Sequence, residues 1–206
     1  MFTDIECAQA SARVYRPDPG PATLINVGEV VGSVLAVGGE VIVAMRGTAD
    51  NADVLADIDA LPATDPELGQ VHAGFLAGVD AWLESAQAWL TAQPVTVTGH
   101  SLGGARARII AGKMLARGWP VAKVCTFGSP RPAFQGLADM IARSGIAHVS
   151  YRHGGDPVPQ VPLEVGGYRH TEAWIQLGAV PLVDKVEDHH VAYYVAAVAG
   201  LATARA

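Results

Sequence analysis

The pentapeptide G-H-S-L-G at residues 99–103, with the segments on either side of it, most constrains the fold of this chain. Residues 95–98 before it alternate valine and threonine, as a strand does. After it, apolar and small residues recur at helical spacing: Leu102, Ala105, Ile109 and Gly112. A strand that turns sharply into a helix at a serine is a nucleophile elbow. Its two glycines remove Cβ atoms where strand and helix approach closely, so Ser101 is the candidate nucleophile.

Strand and helix patterns elsewhere predict an α/β protein around this elbow. Three strand-like runs near the N-terminus are separated by glycine-containing turns, which predicts an antiparallel meander: Thr23–Val27, Val30–Val37 and Glu40–Met45. After the elbow, strand-like runs at Val121–Phe127 and 146–152 flank a helical run at 134–142, which predicts a parallel sheet. We therefore expect a single domain over residues 1–206, with a mostly parallel central sheet, antiparallel N-terminal strands and helices on both faces.

Other segments carry further expectations about helices and strands. Thr3 and Glu6 form a capping-box pattern for a first helix that ends near Tyr15. Residues 50–58 are predicted as a short helix and 171–175 as a strand. Asp188 is predicted to cap a last helix that runs to about residue 201. One helical stripe includes two tryptophans, to which we assign core packing: Phe75, Val79, Trp82, Leu83, Ala86, Trp89 and Leu90.

Composition narrows the classes of partner and the compartment. A net charge of −6 argues against nucleic acid and against an anionic membrane surface. The longest apolar run, 191–204, is shorter than the roughly 20 residues that span a bilayer, so we expect no integral membrane association. Cys7 and Cys125 are expected to be buried free thiols. The N-terminus carries Asp4 and Glu6 and no apolar signal core, which predicts a cytoplasmic location, although the mature form of a secreted protein would look the same.

A serine nucleophile needs a base, and the base needs an orienting acid; in α/β hydrolases both follow the serine in the order acid, then histidine. Four aspartates follow Ser101, and we assign Asp156 as the acid because it lies at the carboxyl end of a predicted strand, on the edge of the sheet that carries the elbow. Asp139 falls within a helix, and Asp188 fits an N-cap better. The fourth aspartate is Asp184.

The base is one of two adjacent histidines near the C-terminus, His189 and His190. His72 and His100 precede the serine, and three others lie in or beside strands or too close to the acid: His148, His153 and His170. Because adjacent residues on a helix diverge, only one of the pair can point at Ser101.

The tetrahedral intermediate that forms when a serine attacks a carbonyl carries an oxyanion, which needs preorganised donors. The backbone N–H of Leu102 supplies one, and Thr48, after an early strand, supplies a backbone N–H and a hydroxyl. The histidines show no paired spacing with cysteine and no H-E-x-x-H pattern, so we expect no metal and no cofactor.

Six blocks of sequence resemble the class 3, or fungal-type, triacylglycerol lipases, a family of α/β hydrolases. In chain order they are M-R-G-T at 45–48, V-H-A-G-F at 71–75, G-H-S-L-G-G-A at 99–105, T-F-G-S-P-R at 126–131, D-P-V-P at 156–159, and D-H followed by Tyr194 at 188–194. The last block resembles short bacterial relatives of that family. The resemblance implies Ser101, Asp156 and His189 as the triad, with Thr48 and Leu102 at the oxyanion hole. A shorter histidine-to-tyrosine spacing would select His190 instead.

The resemblance implies a lipase or esterase that cleaves a small-molecule ester or lipid through an acyl-enzyme. Residues 59–70 stand where fungal lipases carry a lid, and here the segment is short, acidic and broken by two prolines, so it cannot form an amphipathic lid helix. We therefore expect a lidless site that favours short or medium-chain esters. An acyltransferase, thioesterase or amidase on the same triad is the alternative, and a non-catalytic binding protein on this scaffold is another. The sequence gives no indication of the oligomeric state.

Overall fold

The computed structural model describes residues 1–48 and 61–204. The strands in this part of the chain are β1 (Thr23–Val27), β2 (Val30–Val37), β3 (Glu40–Met45), β4 (Pro62–Asp65), β5 (Gly69–His72), β6 (Val95–His100), β7 (Val121–Phe127), β8 (Ala147–His153) and β9 (Ile175–Leu177). The α-helices are α1 (Asp4–Arg13), α2 (Ala73–Leu76), α3 (Val79–Leu90), α4 (Leu102–Ala116), α5 (Gln135–Ser144) and α6 (Val191–Ala204). The predicted helix at 50–58 lies outside the described residues.

Seven of these strands form one sheet in the order β1-β2-β3-β6-β7-β8-β9. The pairs β1–β2 and β2–β3 are antiparallel, and every pair from β3 to β9 is parallel. The predicted meander and the predicted parallel half are therefore both confirmed. Parallel strands end at a common edge, so the chain segments that follow β3, β6 and β8 lie near one another.

Helices cover both faces of the sheet, as expected. Along β3, Val41, Val43 and Met45 pack with residues of α3, α4 and α5, whereas Ile42 packs on the opposite side with residues of α1 and α6. This alternation follows from the two-residue repeat of a strand. Cys7 and Cys125 are buried and free on the α1 side, as the sequence predicted.

Local signals at the N-terminus are also confirmed. Thr3 caps α1, and the reciprocal bonds of the capping box with Glu6 are present. The predicted helical stripe is divided between two helices, because Gly78 adopts a φ of +77° between α2 and α3. Phe75 lies in α2, and both tryptophans lie in α3. Trp82 is fully buried and donates its indole N–H to the Ile25 carbonyl at 3.0 Å.

Three local predictions are wrong. Trp89 is 39% exposed because it lies at the edge of the α3 stripe, where Leu90 packs inward instead. The strand predicted at 171–175 shares only its last residue with β9, because the side chains of Thr171 and Glu172 engage a buried polar network next to the sheet. Asp188 does not cap α6: it lies in a 3₁₀ turn at Val186–His189, and its carboxylate accepts the Gly155 N–H at 2.7 Å.

Candidate active site

Ser101 lies at the bend between β6 and α4, buried and with a φ of +59°. It is the one non-glycine residue with a positive φ in the part of the chain that the structure describes. Such a conformation is strained for a residue with a Cβ and is typical of a nucleophile elbow. The bend depends on its glycines, because a Cβ at Gly99 would collide with the Gly103 backbone and a Cβ at Gly103 with the Met45 carbonyl.

Asp156 follows β8 in a tight loop and is fully buried. Its Oδ1 accepts the N–H of Val158 at 2.9 Å. Its Oδ2 accepts two further bonds, from His189 Nδ1 at 2.7 Å and from the hydroxyl of Tyr194 at 2.5 Å. Three donors around a buried carboxylate are what an ionised group needs in place of water.

His189 is fully buried at the end of the 3₁₀ turn that precedes α6. Since a carboxylate only accepts, the Nδ1 of this imidazole carries the proton and its Nε2 presents a lone pair. Neither His189 Nε2 nor Ser101 Oγ has a hydrogen-bond partner among the described residues, although both atoms are buried. Unpartnered buried polar atoms at a strained bend are what a site awaiting substrate leaves open.

The elbow and His189 meet through His100, the residue before the serine. The Nε2 of His100 bonds the carbonyl of His189 at 2.7 Å, and the two imidazole centroids are 4.6 Å apart. His190, by contrast, is exposed, and its ring contacts Tyr193 with centroids 6.1 Å apart. Of the two candidate histidines, His189 is therefore the one that the structure brings to Asp156 and to the elbow.

The segment 46–48, which holds Thr48, lies directly against the elbow. A Cβ added to Gly47 would stand 3.1 Å from Ser101 Cβ and 2.7 Å from the His100 carbonyl. Leu102 is the first residue of α4, so its N–H has no acceptor within the helix. The two segments predicted to supply oxyanion donors therefore both lie next to the serine.

Two residues without an assigned role in the sequence analysis support the site. Tyr194 donates to Asp156 and accepts the N–H of His153 at 3.1 Å; burial, together with the neighbouring carboxylate, raises its pKa well above the usual range. Arg131 donates to the carbonyls of Gln160 and Pro162, the latter at 2.8 Å, and so holds the loop that follows Asp156. The sequence did hold a signal for both residues, because Arg131 ends the motif at 126–131 and Tyr194 ends the motif at 188–194.

The β4–β5 hairpin occupies residues 62–72, and a buried ion pair anchors it. Lys113 on α4 donates to Asp65 at 2.6 Å and to Glu67 at 2.9 Å, and the side chains of Lys113 and Asp65 are almost fully buried. Asp65 also accepts the backbone N–H groups of Glu67 and Leu68, at 3.0 and 2.9 Å. A hairpin fixed by partnered buried charges resists displacement, because each separated charge would lose its partner.

Across residues 1–48 and 61–204, no three histidine, cysteine, aspartate or glutamate side chains are grouped so as to hold a metal ion. No helix within the same ranges has the length and apolar character needed to cross a bilayer.

The family model for lipase (class 3) matches residues 42–166, more than half of the chain and including the elbow and Asp156. The chain belongs to the class 3 lipase family. Secreted mono- and diacylglycerol lipase 1 of Fusarium solani is 35% identical to this chain over 185 residues, which cover 79% of this chain and 54% of that protein. The lipase of Rhizopus oryzae is 37% identical over 123 residues, covering 53% and 31%. The chain thus spans about half, or less, of the length of these curated relatives.

Solved structures of fungal lipases share the fold. The lipase of Rhizopus microsporus var. chinensis superposes with a TM-score of 0.76 at 22% identity, covering 90% of this chain and 84% of that one. A triacylglycerol lipase whose catalytic centre is formed by a serine protease triad superposes with a TM-score of 0.69 at 21% identity, covering 84% and 79%. The α/β-hydrolase fold expected for this class 3 lipase is therefore confirmed.

The predicted cytoplasmic location is wrong. Relatives from Fusarium solani and Penicillium cyclopium are named as secreted lipases, which points to secretion instead. The prediction rested on the lack of an apolar segment near Asp4 and Glu6, a criterion that does not separate an intracellular protein from a processed secreted one.

Proposed function

We propose that this class 3 lipase is a secreted serine hydrolase that cleaves carboxylic esters, with Ser101 as nucleophile, His189 as base and Asp156 as the orienting acid. The observation that carries the proposal is the 2.7 Å bond between His189 Nδ1 and Asp156 Oδ2. That bond leaves the lone pair of His189 Nε2 free, and His100, the neighbour of the strained Ser101, holds the His189 backbone. A free imidazole lone pair held at the elbow is what acyl transfer by a serine needs. We further propose that residues 1–206 fold as one domain around the seven-stranded sheet.

In the first half of the reaction, Ser101 Oγ attacks the ester carbonyl while its proton passes to His189 Nε2. Asp156 holds the imidazole tautomer and stabilises the cation that forms. The His189 cation then protonates the leaving alcohol as the tetrahedral intermediate collapses to the acyl-enzyme. In the second half the same histidine takes a proton from water as that water attacks the acyl carbonyl. It then gives the proton to Ser101 Oγ as the second tetrahedral intermediate collapses, which releases the acid and restores the serine hydroxyl.

The oxyanion of each tetrahedral intermediate is stabilised by the N–H of Leu102 at the start of α4 and by the N–H of Thr48, with the Thr48 hydroxyl as a third donor. Close packing of Gly47 against the elbow supports this assignment. Fixed backbone donors are effective here, because they need no reorganisation when the charge develops.

The substrates we propose are mono- and diacylglycerols and other esters with short or medium acyl chains. The name of the Fusarium solani relative supports partial glycerides. The anchored hairpin supports the absence of a lid helix from residues 61–70, the described part of the segment where the resemblance expects a lid. The net charge of −6 supports a neutral ester rather than nucleic acid as partner.

A fluorophosphonate probe tests the proposed chemistry directly, because it phosphonylates only an activated serine. We expect one equivalent of label on the wild-type protein, at Ser101 by peptide mass spectrometry, and none on Ser101→Ala. Ser11→Ala is the matched control, since Ser11 is equally buried but bonds Thr98 at 3.0 Å, away from any base. An unlabelled wild type, or label that survives in Ser101→Ala, contradicts the proposal. Acyl transfer to added alcohol, compared with hydrolysis, separates a transferase from a hydrolase.

Substrate preference is tested by measuring hydrolysis of one ester below and above its solubility limit, across a series of acyl lengths. A lidless site predicts a smooth dependence on substrate concentration with the highest kcat/KM for short and medium chains. A sharp rise in rate when the ester forms an interface would contradict it.

A further inference from the structure

His100 has a partner on each ring nitrogen, although it precedes the nucleophile and has no place in the triad. Its Nε2 bonds the carbonyl of His189 at 2.7 Å, and its Nδ1 bonds the hydroxyl of Tyr15 at 3.1 Å. Burial, followed by the nearby imidazoles of His189 and His190, lowers the pKa of His100 well below its usual range. The ring is therefore neutral and carries a single N–H.

The partners decide which nitrogen holds that proton. A backbone carbonyl only accepts, so His100 Nε2 is the donor to His189, and Nδ1 must accept from the hydroxyl of Tyr15. The oxygen of Tyr15 in turn accepts the N–H of Gly47 at 3.1 Å. Burial also raises the pKa of Tyr15, which keeps this hydroxyl a donor. With His100 neutral, the bonds run in one direction, from Gly47 through Tyr15 and His100 to His189. The Tyr15 hydroxyl also lies 3.5 Å from the His100 carbonyl, a longer contact than the 3.1 Å to Nδ1.

This chain of bonds joins both sides of the reaction centre. Gly47 belongs to the segment that presents Thr48, and His189 is bound to Asp156 through its ring while His100 holds its backbone. Gly47 packs directly against Tyr15, since a Cβ at Gly47 would stand 2.5 Å from the hydroxyl of Tyr15. Tyr15, which follows α1 in sequence, is thereby tied to the carboxyl edge of the sheet.

We propose that Tyr15 and His100 are positioning residues for ester hydrolysis. A neutral, Nε2-protonated His100 and the Tyr15 hydroxyl together fix the position of the oxyanion segment at Gly47 relative to the backbone of His189. Neither residue touches substrate or exchanges protons with it. The inference rests on the proposed function, and wild-type labelling by fluorophosphonate checks that function separately.

The test measures kcat, KM and the labelling rate for Tyr15→Phe, His100→Ala and the double variant, with Tyr151→Phe as control. The Tyr151 hydroxyl also donates a partly buried bond, to Asp4 at 2.6 Å, but it lies outside this chain of bonds. Each single variant removes two of the three bonds in the chain, and we expect it to lose about tenfold in kcat with KM within about twofold. The double variant should lose little more than the worse single one, because the two residues act through one chain of bonds. The control should keep wild-type kcat.

Three outcomes overturn the proposal: multiplicative losses in the double variant, a kcat for Tyr15→Phe equal to that of Tyr151→Phe, or a loss in KM alone. Nitrogen-edited NMR of the wild-type protein provides a measurement that needs no variant to fold. We expect the His100 ring to be the Nε2–H tautomer and to stay neutral below the pH at which an ordinary imidazole becomes protonated, because burial lowers its pKa. An Nδ1–H tautomer, or a cation at pH 6, contradicts the assigned direction of the bonds.

Discussion

Tyr194→Phe is the most informative single perturbation of the acid, since it removes one oxygen and leaves the ring. In the wild type this hydroxyl donates to Asp156 at 2.5 Å and accepts from the N–H of His153 at 3.1 Å, with both side chains fully buried. A hydrogen bond to a charged group contributes about 1.5–3 kcal/mol to stability. The phenylalanine variant also removes the acceptor of the His153 N–H, in a bond that is partly buried.

We therefore expect Tyr194→Phe to lower the free energy of unfolding by about 2–3 kcal/mol, near the upper part of that range because of the unpaired N–H. For a chain of this size, such a loss lowers Tm by roughly 4–12 °C. Tyr193→Phe is a matched control, because Tyr193 is the adjacent tyrosine and is 47% exposed. Its Tm should stay within about 1 °C of the wild type, since surface changes are usually small.

Activity should separate the two tyrosines in the same way. Asp156 keeps its bonds to His189 and Val158 in Tyr194→Phe, so we expect kcat to fall by about tenfold rather than to vanish. Thermal unfolding followed by circular dichroism, and initial rates on a soluble ester, are the two measurements. Equal Tm values for Tyr194→Phe and Tyr193→Phe would refute the reasoning that the buried hydroxyl supports the carboxylate.

Three further predictions concern backbone space, pH and the hairpin. Gly128 has a φ of +57°, and a Cβ there would stand within 3.0 Å of the acid, the base and Tyr194, whereas Gly145 has a φ of +69° and open space. Gly145→Ala should lose about 1–2 kcal/mol of stability from backbone strain alone. Gly128→Ala should lose more, because the methyl group also collides with buried side chains, and only this variant should lose labelling by fluorophosphonate. Burial, then the charge of a neighbouring arginine, lowers the pKa of His170 to about 3. The unfolded chain therefore binds a proton at His170 before the folded one does, so its contribution to stability is complete above pH 6.5 and declines as the pH falls toward 3. Urea unfolding from pH 7 to pH 4 should show a smaller loss of unfolding free energy in His170→Asn than in the wild type. Lys113→Met should cost about 3–5 kcal/mol by leaving the Asp65 charge buried without its partner. Most of that loss should return in Lys113→Met with Asp65→Asn, which removes the charge but keeps an oxygen for the N–H groups of Glu67 and Leu68, as measured by chemical denaturation.

Sequence patterns predicted the sheet because its strands obey local rules. Glycine turns separate β1, β2 and β3, and the two-residue repeat of β3 sends its side chains to opposite faces. The failures were places where distant partners override local preference. Residues 171–175 resemble a strand, yet Glu172 binds the buried Arg108 at 3.0 Å, a contact between residues 64 positions apart that no local pattern contains.

The site residues also fall into those that local sequence identifies and those that only long-range contacts identify. Ser101 is recognisable because the elbow is local, and Asp156 because it ends a strand at the right edge. The choice between His189 and His190 is not local: adjacent side chains diverge, and only the fold shows which one reaches Asp156. The contact of Tyr15 with the site is not predictable from local sequence for a similar reason, since its partner His100 is 85 positions away.

The central claim is that His189, not its neighbour, is the base that activates Ser101. Single-turnover acylation of His189→Ala and His190→Ala by one soluble ester tests it most directly. His189→Ala should lose roughly 10⁴–10⁶-fold in rate, as when one member of a serine triad is removed, while His190→Ala stays within about threefold of the wild type. A loss of that size in His190→Ala, with His189→Ala still active, would contradict the account.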